Sequence, residues 1–146
     1  MTDNTENSNI SEEGNNQLES QVTPLLENVL YPSESDEAVT YVTCYLKQEE
    51  PLTVSQIKEW LMLPPSVYVE ESTTDWFWEP VTTEQDWYGD EEKARTATYR
   101  RIQEALASLT DCQVFRVGDT EVDVYLLGRL PDGSGRAGLK TRVIET

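Results

Sequence analysis

The clearest structural pattern of this chain lies in residues 113–143, QVFRVGDTEVDVYLLGRLPDGSGRAGLKTRV. Apolar and polar residues alternate in three segments of it, which is typical of β-strands with one buried face. The Gly118-Asp119 pair between the first two segments indicates a hairpin, and PDGSG at 131–135 is a strong turn signal before the third. The predicted strands are 113–117, 121–127 and about 137–143, the last running almost to Thr146.

A long helix is predicted immediately before these strands, over about residues 91–109. Asp90 is suited to cap its N-terminus, and Glu91 and Glu92 complement the helix dipole there. Apolar residues recur at helical spacing and define the face that we expect to be buried. That face comprises Ala94, Thr98, Ile102, Ala105, Leu106 and Leu109.

A short helix is predicted further upstream, over about residues 53–62. The hydroxyl of Thr53 can accept a hydrogen bond from the backbone N–H of Gln56, whose side chain can reach back to form a capping box. Leu52 and Ile57 stand at the positions of a hydrophobic staple. The Pro-Pro pair that follows ends the helix.

The pattern between residues 18 and 47 changes from helical to alternating. Apolar residues from Leu18 to Val29 fall on one helical face, so we expect one helix that ends at Tyr31 and has an imperfect middle at Pro24. The alternative is a shorter helix that begins at Pro24. Residues 38–47, AVTYVTCYLK, predict a strand rich in β-branched and aromatic residues.

Two shorter segments follow the helix at 53–62. Residues 67–69 predict a strand. Residues 75–80, DWFWEP, are dense in aromatic side chains flanked by acids. We expect a strand that packs onto the core, and the alternative is a rim of exposed rings of the kind that anchors protein interfaces.

These elements together predict one α+β domain over residues 17–146, with a largely antiparallel sheet covered by helices. Residues 1–16 are mainly Asn, Ser, Glu and Thr and cannot offset the entropy cost of ordering, so we expect a disordered acidic tail. No segment has the apolar length of a membrane span or signal peptide, which favours a cytoplasmic protein with no membrane partner. A Cys44–Cys112 disulfide is possible but disfavoured there.

The charge of the chain is strongly acidic and unevenly distributed. Twenty-eight acidic residues, eleven basic residues and no histidine give a formal net charge of -17. Residues 1–92 hold 21 of the acids and two of the bases, whereas residues 93–146 are close to neutral. Such a charge repels nucleic acid and favours a basic partner. Since no carboxylate pair stands out and histidine is absent, we expect neither an enzyme nor a cofactor.

Several uncommon motifs stand in the same order as in one known family: TTEQDWYGDEE at 82–92, QVFRVGDTEVDVYLLG at 113–128 and TRVIET at 141–146. With weaker matches in SESDE at 33–37 and PLT at 51–53, the chain resembles the nuclease A inhibitor family of cyanobacteria and other bacteria. The resemblance is clearest over the second half of the chain. It implies an α-β-α sandwich that inhibits sugar-nonspecific, Mg²⁺-dependent endonucleases of the ββα-metal class. The tail, the Pro24-containing helix and Gly89 depart from the family pattern.

The resemblance also implies which residues contact the nuclease. The C-terminal carboxylate of Thr146 is expected to replace a water on the nuclease's Mg²⁺, and Glu34 to contact the hydration shell of that ion. Asp86 and Trp87 are expected to anchor on the rim of the cleft. Mg²⁺ prefers hard oxygen ligands, so carboxylates can imitate the substrate phosphate. The further candidates are Glu84, Tyr88 and Glu145.

A second function fits the same charge: an acidic interaction module that binds a basic protein without inhibiting a nuclease. Each site residue also has a structural interpretation. Glu34 fits a solvent-exposed cap, Asp86 a residue at the start of a helix, Trp87 a core ring and Thr146 a pinned terminal residue. On either interpretation the partner is a protein, nucleic acid is not bound, and the free chain is expected to be a monomer.

Overall fold

The structure is a computed structural model that describes residues 17–145 of the chain. Its strands are β1 (Leu30–Tyr31), β2 (Glu37–Ala38), β3 (Thr40–Cys44), β4 (Val69–Ser72), β5 (Thr110–Val117), β6 (Glu121–Arg129) and β7 (Arg136–Ile144). Its helices are α1 (17–26), α2 (Val54–Trp60), α3 (Thr74–Thr82) and α4 (Asp90–Ala105), with a 3₁₀ turn at Leu106–Ser108. None of these helices is long and apolar enough to cross a membrane.

The three C-terminal strands predicted from the sequence form the middle of a five-stranded sheet. The strand order is β3-β7-β6-β5-β4, and every neighbouring pair is antiparallel. β1 and β2 form a separate two-stranded sheet beside β7. The Thr141 hydroxyl of β7 donates to the Ala38 carbonyl across this junction, at 2.9 Å. The predicted α+β class with a largely antiparallel sheet is confirmed.

Successive side chains of the central strands point to opposite faces of the sheet, so they pack into two separate cores. Val122, Val124 and Leu126 of β6 share a core with apolar residues of α1, α3 and α4. Tyr125 and Leu127, on the other side of the same strand, pack in a core with α2. Since both faces are covered by helices, the architecture is the α-β-α sandwich that the resemblance implied.

Helix α1 continues through Pro24 as one helix, but it ends at residue 26 instead of continuing to Tyr31. Residues 30 and 31 form strand β1, and Tyr31 is buried there. Its hydroxyl donates to the Phe77 carbonyl at 2.6 Å, and the two rings stack with centroids 5.0 Å apart. This distant contact, which helical periodicity does not reveal, ends the helix early.

The strand predicted over residues 38–47 is interrupted at both ends. Its start belongs partly to β2, and β3 ends at Cys44. Beyond that point the chain turns away to meet Arg136, which is buried. The guanidinium donates to the carbonyls of Leu46 and Glu50, at 2.8 and 3.1 Å, so these carbonyls bind a side chain instead of a neighbouring strand.

The chain between residues 67 and 82 departs furthest from the predictions. The strand predicted at 67–69 is displaced to β4. The aromatic segment 75–80 lies in helix α3 and not in a strand, but it packs onto the core as expected. The Thr73 hydroxyl caps this helix by accepting a backbone N–H of the first turn at 3.1 Å. Phe77 and Trp78 are buried and form no exposed rim.

Helix α4 begins where it was predicted but ends at Ala105, and its buried face agrees with the prediction in its C-terminal half only. Asp90 is the first residue of the helix, and Gly89 takes the cap position that was assigned to Asp90. Ile102, Leu106 and Leu109 are buried as predicted, whereas Ala94 is exposed and Tyr99 is fully buried. Burial of the larger aromatic surface outweighs burial of a methyl group, which sets the orientation of the helix.

The two cysteines are free and lie in different cores. Cys44 packs on the α2 side of the sheet, and Cys112 packs against the opposite core. This separation explains why the disulfide does not form. Burial raises the pKa of both thiols, so they stay protonated at neutral pH and are poor nucleophiles.

The capping box predicted for α2 is confirmed. The Thr53 hydroxyl accepts from the Gln56 backbone N–H at 3.2 Å, and the Gln56 side-chain oxygen accepts from the Thr53 N–H at 3.0 Å. Replacing Thr53 by Ala should lower the free energy of unfolding by about 1 kcal/mol, because the Gln56 backbone N–H loses its acceptor at the helix terminus. Urea denaturation measures this. Thr53→Ser, the control, should retain most of the stability, and equal losses in both variants would refute the capping role.

Candidate functional site

The loop between β1 and β2 presents the acidic segment SESDE. The Ser33 hydroxyl donates to the Ser35 carbonyl, and the Ser35 hydroxyl donates to the Glu37 carboxylate, each at 2.7 Å. Glu34 is exposed at the tip of this turn. The turn therefore gives the first candidate contact residue a defined location on the surface.

The same loop is bonded to the end of the last strand. The backbone N–H of Ile144 donates to the Ser33 hydroxyl oxygen at 3.0 Å, across 111 positions of sequence. The next N–H, of Glu145, donates to the Thr120 carbonyl at 2.7 Å. These bonds place the SESDE loop beside the chain end. Thr146, the residue expected to reach the nuclease's metal, lies outside the described residues.

Arg116 of β5 holds the side chain of Glu145. Two guanidinium N–H groups donate to the two Glu145 carboxylate oxygens, at 3.0 and 2.5 Å. Its Nε forms an ion pair with Glu70 at 3.0 Å, and its guanidinium carbon lies 4.7 Å from the centroid of a Trp76 ring. The hydrogen bond to Glu145 raises the pKa of Arg116 despite partial burial, so the cation persists. Glu145, a candidate contact residue, is therefore engaged within the protein.

The loop between α3 and α4 carries the remaining candidates. Glu84, Asp86 and Trp87 are exposed, and Trp87 retains 73% of its accessible surface. The Trp87 ring meets the half-buried Tyr88 ring edge-on, with centroids 4.7 Å apart. The guanidinium carbon of Arg95 lies 6.0 Å from the Tyr88 centroid. Trp87 is therefore a surface ring supported by its neighbour, and its interpretation as a core ring is wrong.

Helix α3 lies between these segments. On one side Trp76 contacts Arg116, which holds the chain end. Trp76 also lines a shallow groove of about 320 Å³ together with Gln85 of the α3–α4 loop. A second groove, of about 700 Å³, is lined by Asp36 of the SESDE loop and by Arg95 of α4. The structure thus brings both loops and the last described residues to neighbouring positions.

Exposed carboxylates border this region, and we call them the acidic surface. They are Glu34, Asp36, Asp75, Glu79, Glu84, Asp86, Asp90 and Glu91. Exposed bases occur farther along α4, at Lys93, Arg100 and Arg101. Clustered carboxylates on fixed elements attract a basic protein and repel nucleic acid. From the sequence, a structural and a functional role were equally favoured for Asp75, and Glu79 was not assigned to the site.

Ser33 and Arg116 were also missed as site residues. Ser33 bonds Ile144 across 111 positions, and Arg116 bonds Glu145 across 29. In the sequence, Arg116 is only the polar member of an alternating strand. The available signal was weak: Arg116 is a base among acids, within the motif at 113–128 that carries the resemblance.

Metal-ligating and thiol side chains were located within the described part of the chain. Within residues 17–145, no group of three or more Cys, Asp and Glu side chains is arranged to hold a metal ion. The two thiols are held in their protonated form by burial. The chemistry available at the acidic surface is that of exposed carboxylates beside an exposed aromatic ring, which suits recognition of another protein.

The fold and the site define a small α-β-α sandwich with acidic loops that meet beside the end of its last strand. The family model of nuclease A inhibitor-like proteins matches residues 16–146. The chain therefore belongs to the nuclease A inhibitor-like family, which confirms the resemblance drawn from its sequence. A comparison with curated proteins gave no match.

The exposed and buried aromatic residues should respond differently to truncation. Trp87→Ala should change the free energy of unfolding by no more than about 0.5 kcal/mol, because little surface is buried there. Phe77→Ala, the control, should lower it by about 3–5 kcal/mol through the cavity it leaves in the core. Chemical denaturation followed by circular dichroism measures both. A large loss of stability in Trp87→Ala would contradict the surface placement of this ring.

Proposed function

We propose that the protein inhibits a Mg²⁺-dependent, sugar-nonspecific endonuclease of the ββα-metal class by occupying its active-site cleft. Membership in the nuclease A inhibitor-like family supports a nuclease as the partner. The observation that carries the mechanism is that the SESDE loop, the α3–α4 loop and the chain end are neighbours around α3. We also propose that residues 17–146 act as one domain and that the free inhibitor is a monomer.

Electrostatic complementarity accounts for the approach to the enzyme. A nuclease cleft that binds a polyanion is basic, and the acidic surface offers carboxylates in place of phosphates. Attraction between the two surfaces accelerates association and weakens as salt is added. The carboxylates contain no phosphodiester bond, so the bound inhibitor cannot be cleaved as substrate is.

Two carboxylates are proposed to act at the enzyme's metal. Mg²⁺ keeps several waters and binds one or two carboxylates in protein sites. The α-carboxylate of Thr146 would replace one such water, and Glu34 would accept hydrogen bonds from the others. The bond between Ile144 and Ser33 supports this pairing, because it joins the Glu34 loop to the last strand.

The α3–α4 loop is proposed to anchor on the rim of the cleft. Trp87 offers a rigid, exposed ring of the kind that dominates binding energy at interfaces. Asp86 lies next to it and would pair with a rim base. The Tyr88 ring packs edge-on against the Trp87 ring, and Glu84 adds a negative charge at the start of the loop.

An inhibition assay tests this function directly. The purified protein is titrated into ββα-metal nucleases with Mg²⁺ and plasmid DNA, and we expect complete inhibition near equimolar ratio with a cognate enzyme. Trp87→Ala should raise the inhibition constant at least about thirtyfold, as expected for loss of a hot-spot ring. Tyr45→Ala is the matched control, since it removes an exposed ring beyond the opposite end of β7.

Three outcomes would count against the proposal or part of it. Undiminished digestion by every enzyme of the panel at several-fold excess of inhibitor would exclude this function. Capture of a nuclease without loss of its activity would instead favour the acidic interaction module. Equal effects of Trp87→Ala and Tyr45→Ala would remove the α3–α4 loop from the interface.

Extension of the chain tests the carboxylate at the metal. Two residues added after Thr146 should raise the inhibition constant at least about tenfold, because the α-carboxylate is displaced from the ion. The same two residues added before Met1 serve as the control and should leave inhibition unchanged. Full inhibition by the C-terminally extended chain would rule out the metal-binding role of Thr146.

A further inference from the structure

We infer that Arg116 is a positioning residue that fixes the chain end in the orientation needed for inhibition, an inference that rests on the proposed function. It holds the side chain of Glu145, the residue that directly precedes Thr146. It is not itself a contact residue, because its guanidinium is occupied by partners within the protein.

The geometry of the Arg116 contacts is specific. Separate N–H groups reach the two carboxylate oxygens of Glu145, an arrangement that fixes the plane of the carboxylate as well as its distance. The remaining contacts, to Glu70 and Trp76, tie the same guanidinium to β4 and α3. Lysine could supply the charge but not this planar arrangement.

The backbone is held at the same place. The N–H of Ile144 is bound by Ser33, and that of Glu145 by Thr120. With the side chain of Glu145 also bound, both the backbone N–H and the carboxylate of the residue before Thr146 are held. A group that is already oriented loses less entropy on docking, so the restraint lowers the cost of binding.

Loss of the positive charge of Arg116 has opposite expected effects on binding, depending on whether Arg116 acts by positioning or by long-range electrostatics. The chain carries a net charge of -17, and its proposed partner is basic. Removing a cation makes the inhibitor more acidic, so long-range attraction alone predicts faster association and tighter binding. Positioning predicts the reverse, because the chain end loses its restraint. Arg116→Met therefore tests the two effects against each other.

Binding kinetics with a cognate nuclease provide the first measurement. Arg116→Met should raise the dissociation rate about tenfold, the effect of losing one or two restrained groups. Arg116→Lys should lie between this variant and the parent. Arg129→Met is the matched control: it removes one charge that pairs with Asp111 at 3.2 Å, and Arg129 stands opposite Arg136 at the start of β7, the end of that strand far from Ile144. It should change the rate less than about twofold. Equal or tighter binding by Arg116→Met would overturn the inference.

The extended chain shows whether Arg116 acts through residue 146. When two residues follow Thr146, Arg116→Met should weaken inhibition by less than about twofold, because there is no longer a metal contact to orient. An undiminished tenfold effect in the extended chain would show that Arg116 acts through another contact, and the inference would be wrong.

Hydrogen exchange tests the positioning without any nuclease. In Arg116→Met the amides of Ile144 and Glu145 should exchange about tenfold faster, while Val124 in the core keeps its protection. Unchanged exchange at both amides would refute the positioning role. Failure of the parent protein to inhibit any nuclease would reject the proposed function instead, and the exchange result would still decide the role of Arg116.

Discussion

The pairing of β6 with β7 is the contact on which both cores and the site depend. Leu126 stands opposite Leu139, and the backbones approach closely at Gly138, where a Cβ would lie 1.7 Å from the Leu126 carbonyl oxygen. A slip of one residue would turn the core side of β7 toward the other face. The same register places Ile144 opposite Glu121, so the core also determines where the chain end meets the SESDE loop.

Local patterns were sufficient for the parts of the fold whose structure is decided by neighbouring residues. The alternation in β5 to β7 and the Thr53 capping box are of this kind, and both were predicted. Helix α3 is different, because aromatic residues favour strands by propensity. Its helical state depends on the Thr73 cap and on the contact of Phe77 with Tyr31, 46 positions away. Burial against distant partners outweighed local propensity there.

Some residues of the candidate site could be named from the sequence, and others could not. Glu34, Asp86 and Trp87 were named from the resemblance, and the structure adds that all three are exposed. Their roles at a nuclease stay predictions. Ser33 and Arg116 could not be identified from the sequence, because their roles depend on hydrogen bonds to residues that are distant in the chain. The residues that orient a site are harder to predict than those that face its target.

The uneven charge of the chain corresponds to two structural parts, the C-terminal strands and the loops and helices that carry the acidic surface. Three of the five bases in β5 to β7 form ion pairs: Arg116 with Glu70 and Glu145, Arg129 with Asp111, and Arg142 with Glu121 and Asp123. This pairing limits the self-repulsion that a net charge of -17 imposes on a compact fold. The acidic surface lies on loops and helix ends outside those strands. The nearly neutral C-terminal strands therefore form a framework, and the carboxylates of the acidic surface are carried by loops and helices outside it.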